Sequence, residues 1–212
     1  MYKAVIFDLD GTLLNTIHDI CDSLNDALQK SQLPCVSVET CQYMVGQGVD
    51  VLITKAVSNP TARAAVMSHY LAHYEENQFH HTKPYDGIVE VLHLLQSLGM
   101  KLAVLSNKPH VDTVRIVEHY FGNELFDVVM GQKPTNRPKP SLDGCYEILS
   151  LLNITHDILY VGDTAVDMET AKRAGFDSVA VTWGFRKPEE IIPHHFIINH
   201  PRELLPIVRQ SR

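Results

Sequence analysis

The chain has no cluster of Lys and Arg, and no apolar run approaching the ~20 residues that span a bilayer. Its 18 basic side chains are outnumbered by 25 acidic ones, for a formal net charge of -7. A sequence-independent grip on nucleic acid needs a cationic surface, so no nucleic-acid partner is expected. A local basic pocket for a small anion is left open. Without an apolar span, no membrane partner is expected either. Four cysteines, Cys21, Cys35, Cys41 and Cys145, show no CxxC spacing. The start "MYKAVIF" runs into a strand with no signal-peptide pattern. Reduced thiols and a cytoplasmic location are the expectation. No internal repeat or low-complexity tract interrupts the 212 residues, a length that holds one domain plus an insertion.

What the chain does have is a set of short apolar runs: "AVIF", "LAVLSN" (102–107), "FDVVMG" (126–131), "ILYVGD" (158–163), "SVAVTW" (178–183) and a weaker "FII" (196–198). Such runs read as strands buried on both faces. Between them, residues 87–98, 142–152 and 167–174 repeat apolar positions at helical spacing, the first ending at Gly99 and the last at Gly175. Strands alternating with helices predict an α/β fold: a doubly wound parallel sheet with a Rossmann-type core. From about Thr16 to Lys83 the alternation fails, and only helical patterns appear. One of them places Ile17, Ile20, Leu24 and Leu28 on a single stripe. The expectation is a core of residues 1–14 and 85–212 with a helical cap, residues 15–84, hinged near Leu14–Thr16 and Lys83–Asp86.

Residues able to do chemistry collect where these strands end. "DLDGT" follows the first strand, placing Asp8 and Asp10 on one side of an extended chain. Ser106 and Asn107 close the second run, Lys139 lies in "NRPKPS", and "GDTAVD" supplies Asp163 and Asp167. In open parallel sheets, ligands bind beyond the carboxyl ends of the strands, which gives residues more than 150 positions apart a common site. Carboxylates without thiols or a matched imidazole suit Mg²⁺. A hydroxyl and an ammonium suit phosphate oxygens. A carboxylate held beside a divalent cation and phosphate donors is a route to an aspartyl-phosphate intermediate. Two neighbouring aspartates repel unless positive charge lies among them, and a metal with one lysine is expected to supply it.

In order and spacing, "DLDGT", "LSN", the loop lysine and "GDTAVD" resemble the four motifs of the haloacid dehalogenase-like hydrolases. The helical block falls where that family inserts its first-type cap, so the resemblance covers the whole chain. It implies Asp8 as nucleophile and Asp10 as general acid and later base. It implies Mg²⁺ bound by Asp8, the backbone carbonyl of Asp10, and Asp163, with Asp167 supporting directly or through water. Ser106 and Lys139 would bind the phosphoryl group, with Thr12 and Asn107 grouped beside them, and Lys139 would also steady Asp8. Dehalogenating members lack the second aspartate, so Asp10 points to phosphoryl chemistry. Thr12 stands where phosphomutase relatives often carry Val, which favours hydrolysis. "VGQGVDVLI", "VTWGF" and the tail resemble segments of the phosphoglycolate phosphatase subfamily. The implied activity is a Mg²⁺-dependent phosphomonoesterase acting on a small phosphorylated metabolite such as 2-phosphoglycolate, as monomer or homodimer. A sugar phosphomutase or a pyrophosphatase is the alternative.

Other readings of these residues are weaker. A calcium loop counted from Asp8 needs Gly at its sixth place and Glu at its twelfth, which here hold Leu13 and Asp19. Lys133, in the same loop as Lys139, competes for the lysine role; the family's spacing to the Gly-Asp pair favours Lys139. His69 and His73 stand i, i+4 on a helix but have no third ligand, and the pairs His80–His81 and His194–His195 read as surface. The Met and aromatic residues of 66–79 are expected to pack the cap core, and Trp183 to pack. Gln47 and Lys55 are the cap residues expected near a leaving group.

Overall fold

The computed structural model describes residues 2–210. The chain runs β1 (Ala4–Phe7), β2 (Leu14–Asn15), α1 (Ile17–Lys30), α2 (Val38–Met44), α3 (Val49–Ala56), α4 (Pro60–Asn77) and β3 (Lys83–Pro84). It continues through α5 (Ile88–Ser97), β4 (Lys101–Pro109), α6 (His110–Phe121), β5 (Val128–Gln132), α7 (Asp143–Leu152) and β6 (Ile158–Gly162). It ends with α8 (Ala165–Ala174), β7 (Asp177–Val181), β8 (Phe196–Ile198) and α9 (Leu204–Val208). Six strands form one parallel sheet in the order β5-β4-β1-β6-β7-β8. The chain steps outward from β1 through β4 and β5, then returns to β6 on the other side of β1. That reversal is the switch point at which such sheets bind ligands.

Alternation along the strands builds two cores. Val5 and Phe7 face one way, with Leu102, Val104, Leu159 and Val161, and meet α5, α6 and α9 through Leu92, Ile116 and Leu204. Ala4, Ile6, Leu105 and Tyr160 face the other way, onto Cys145 and Ile148 of α7 and Ala171 of α8. With helices on both faces, every residue of β1 is fully buried, so the strand is apolar throughout. This is the doubly wound α/β fold expected from the apolar runs.

Helices α1–α4 enclose a third apolar cluster. The stripe of Ile17, Ile20, Leu24 and Leu28 meets Leu52, Ile53, Val66, Tyr70 and Tyr74 there. The two connections expected as hinges pair with each other: β2 and β3 form an antiparallel ribbon, Leu14 opposite Pro84 and Asn15 opposite Lys83. Asp19, buried in the first turn of α1, accepts the N–H groups of His81 (2.8 Å) and Thr82 (2.9 Å), tying the outgoing and returning segments together. Helices α2 and α6 go beyond the sequence reading. The buried residues of α6, Thr113, Ile116, Val117 and Phe121, do fall at helical spacing, but "KPH" hides its start. Helix α2 buries only Cys41 and carries almost no periodic signal. Among the described residues, no helix is long and apolar enough to cross a membrane.

Candidate active site

The site begins where β1 ends. The Asp8 N–H still donates to Val161 O (2.9 Å) in the sheet, and the chain then folds over so that Leu9 O accepts from Thr12, Leu13 and Leu14. Leu9 is fully buried between Asp8 and Asp10, leaving the two carboxylates on the opposite side. Gly11 adopts φ +90°, and a Cβ there would lie 2.3 Å from Asp163 Oδ2. Only glycine satisfies both the left-handed conformation and the close approach.

Asp8, Asp163 and Asp167 present carboxylate oxygens all within 4.8 Å of one another, and all three residues are buried. Lys139 Nζ stands 2.7 Å from Asp8 Oδ1 and 2.7 Å from Asp167 Oδ1. Burial alone would lower the Lys139 pKa, but Asp167 and Asp8 overcome it and hold the ammonium well above its ordinary value. Burial pushes the Asp8 carboxyl well up, against the pull of Lys139. Burial and then Asp167 push Asp163 up to about 7, against the N–H of Phe185. With all three carboxyls ionised, one ammonium would leave two negative charges in a buried pocket of hard oxygen donors, which is why burial favours the protonated forms of Asp8 and Asp163 when no cation is bound. A divalent hard cation fits that deficit and that donor chemistry.

The neighbouring loops hold these groups in place. Asp163 Oδ2 accepts the Phe185 N–H (2.7 Å) and Oδ1 accepts the Thr12 hydroxyl (3.3 Å). A Cβ on Gly184 would lie 2.3 Å from Asp163 Cβ, so this approach also needs glycine. Asp167 caps α8 through Oδ2, which accepts Thr164 N–H and Oγ1–H, and this frees Oδ1 for Lys139. Asn107 fixes the lysine loop by accepting Lys139 N–H (2.7 Å) and donating to Lys139 O (3.2 Å) and Gly46 O (3.2 Å). Ser106 Oγ accepts the Lys108 N–H (3.2 Å).

Lys108 is the residue that sequence reasoning missed. It is buried, and its Nζ lies 3.1 Å from both carboxylate oxygens of Asp10. The expectation of one lysine among the paired aspartates is therefore corrected. Each has its own, Lys139 for Asp8 and Lys108 for Asp10. The available signal was position, one residue past Ser106–Asn107, which were expected to close the strand; β4 in fact runs on to Pro109, with its register broken after Leu105.

Asp8, Asp10, Ser106 and Lys108 line one wall of a cavity whose opposite wall comes from the helical block, chiefly Val45, Val49, Leu52, Tyr70 and Tyr74. Gln47 and Lys55, expected there, are both exposed, and Lys55 donates instead to Tyr43 O (3.4 Å). Tyr70 and Tyr74 do more than pack: they belong to the helical core and also face the cavity. Thr12 is turned towards Asp163 and does not line the cavity. Lys133 pairs with Glu147 (2.7 Å), away from the aspartates. Trp183 donates its indole N–H to Thr12 O (3.0 Å), so it fixes the Asp8 loop as well as packing. None of His69, His73, His80, His81, His194 and His195 lines the cavity.

One loop links the acidic cluster to the helical block. The Phe185 N–H bonds Asp163, while its ring is buried in the core of the helices. The adjacent Arg186 donates to the carbonyls of Gln42 (2.6 Å), Tyr43 (3.3 Å) and Val45 (2.8 Å), closing the end of α2. Gln42 returns a bond to Phe185 O (3.1 Å).

A family model described as haloacid dehalogenase-like hydrolase matches residues 5–181. The chain is 32% identical over 207 residues to a phosphoglycolate phosphatase of Aquifex aeolicus (strain VF5), covering 97% of this chain and 96% of the relative. It is 31% identical over 204 residues to a phosphoglycolate phosphatase of Mesorhizobium japonicum, covering 90% of each. Its fold matches the crystal structure of a predicted phosphoglycolate phosphatase from Haemophilus somnus 129pt with a TM-score of 0.92, at 28% identity and 98% coverage of both chains. A predicted phosphatase from Clostridium acetobutylicum matches with a TM-score of 0.88 at 26% identity, again covering 98% of both.

Proposed function

The chain belongs to the haloacid dehalogenase-like hydrolases, and from that premise we propose that it is a phosphatase of small phosphorylated metabolites, with 2-phosphoglycolate the leading substrate. The convergence of Asp8, Lys139, Asp163 and Asp167 carries the reading: a nucleophile-type carboxylate held by an ammonium beside a pocket that lacks two positive charges. Relatives that match over nearly their full lengths and are named phosphoglycolate phosphatase support the substrate.

In this reading Asp8 Oδ attacks the phosphorus of the bound ester and the bond from phosphorus to the leaving oxygen breaks. Asp10 gives its proton to that oxygen, and the product is an alcohol and a phosphorylated Asp8. Asp10 then takes a proton from water, the water oxygen attacks phosphorus, and inorganic phosphate leaves Asp8. Lys139 orients Asp8 and favours its ionised form against the effect of burial, and Ser106 donates to a phosphoryl oxygen. Mg²⁺, held by Asp8, the Asp10 carbonyl, Asp163 and Asp167, would supply charge neutralisation at the phosphoryl group. The helical block, residues 15–84, acts as a cap that shields the reaction from bulk water. Its roof of Val45, Val49 and Leu52 offers few partners for sugar hydroxyls, which favours a small leaving group over a hexose.

The test is phosphate release from 2-phosphoglycolate, pyrophosphate and hexose 1-phosphates, with and without Mg²⁺, for the wild type and Asp8→Asn. Mg²⁺-dependent release that vanishes in a folded Asp8→Asn protein is the expected result. Isomer formation without phosphate release would make the chain a mutase. Undiminished turnover in Asp8→Asn would remove Asp8 from the role given to it.

A further inference from the structure

Lys108 is more than a counter-ion for Asp10. Among the described residues lining the cavity it is the one cation; the charged others are Asp8, Asp10 and Asp112. It reaches the cavity from the sheet side, and its ammonium stands 4.7 Å from the centre of the Tyr74 ring, which belongs to the opposite wall. An ammonium has three N–H donors, and the two oxygens of Asp10 engage at most two. Tyr74 contributes its ring to the opposite wall. The cavity thus holds one spare ammonium donor, set in walls that are otherwise largely apolar.

The position of this donor relative to the reaction identifies what it binds. Asp10 is assigned to the leaving oxygen, and Lys108 Nζ stands 3.1 Å from both Asp10 oxygens on the same cavity wall. A group one or two bonds past the ester oxygen therefore falls within reach of Lys108. We propose that Lys108 is the specificity-determining receptor for a carboxylate on the leaving group, which selects phosphate esters of small 2-hydroxy acids. The inference rests on the phosphatase reading and deepens it: the same cavity accepts a carboxylate and disfavours its neutral counterpart. Asp112, only partly buried at the rim, repels any anion placed near it, so the carboxylate is drawn to the inner, Lys108 side.

The experiment compares kcat/KM for 2-phosphoglycolate with that for its amide, phosphoglycolamide, which has the same shape and no carboxylate charge. A hydrogen bond between charged groups predicts a wild-type preference of about 10- to 100-fold for the acid. Lys108→Gln should abolish that preference, chiefly through KM on the acid, whereas Lys108→Arg, which keeps the cation beside Asp10, should retain most of it. The wild-type ratio decides the matter even if Lys108→Gln does not fold. Equal kcat/KM on the two esters in the wild type, or an unchanged ratio in a folded Lys108→Gln protein, overturns the assignment while leaving the phosphatase reading intact. No turnover of either ester, or of any in the wider panel, sinks both.

Discussion

In buffer free of divalent cations, Asp163→Asn should stabilise the protein at pH 7 and lose that advantage as the pH falls. Burial and the nearby Asp167 raise the Asp163 carboxyl from its ordinary 3.8 to about 7 in the folded chain. Between those values the folded state keeps a proton that the unfolded state has released. The stability this group contributes is therefore fully present below pH 3.8 and is lost as the pH rises through 7. At about 1.36 kcal/mol per pH unit, the whole loss is on the order of 4 kcal/mol, with roughly 2 kcal/mol of it between pH 5 and 7. An asparagine copies the protonated carboxyl, since its amide oxygen can still accept the Phe185 N–H, and it has no such pH dependence. Urea unfolding of both proteins at pH 5, 6, 7 and 8 reads the effect as the difference between two stability curves, so slopes from other groups largely cancel. Asp8 shifts in the same direction and leaves a residual slope in both. Saturating Mg²⁺ should stabilise the wild type more at pH 7 than at pH 5, because at pH 5 it competes with the proton. Parallel curves for wild type and Asp163→Asn would refute the reasoning.

Lys139→Met should cost about 3–5 kcal/mol in unfolding free energy at neutral pH, because Asp8 and Asp167 then face each other without a cation. Adding Asp167→Asn should recover part of that loss, which a double-mutant cycle measures. Arg186→Ala should leave three carbonyls at the end of α2 without its guanidinium. Faster limited proteolysis of residues 30–60 and a higher KM, with the core's hydrogen-exchange protection unchanged, are the expected signs. Leu24→Ala, in the fully buried stripe of α1, should cost about 2–5 kcal/mol and lower the thermal midpoint of the helical block.

The sheet was legible because parallel strands covered on both faces leave no polar alternation to confuse them, and "AVIF" or "ILYV" can hardly be read otherwise. Once those runs were placed, Asp8 and Asp163 followed as residues just past strand ends, whereas Ser106, expected at a strand end too, lies within β4 beside the break in its register. What escaped the sequence were relations that depend on two distant segments at once. The β2–β3 ribbon is two residues long on each side and includes Pro84, so it carries no periodic signal. Tyr70 and Tyr74, i and i+4 on a helix, look the same whether they face a core or a cavity, and here they face both.

Lys108 shows most clearly why such relations stay hidden. A lysine just past a strand reads as a solvated loop charge, and nothing in "SNKP" reveals that helix α4 will cover it. Its burial is offset by Asp10, whose two carboxyl oxygens both face its ammonium, and Asp8 has a separate ammonium in Lys139. The two salt bridges therefore divide the pocket into two electrostatic compartments. Asp8 and Lys139 share theirs with the oxygen cluster of Asp163 and Asp167, where a divalent cation fits. Asp10 and Lys108 share theirs with the apolar roof, the side to which the proposed reaction sends the departing group. A metal with a single lysine among the aspartates, as the sequence suggested, would have served only the phosphoryl side. The second lysine lets the same strand end also recognise what leaves.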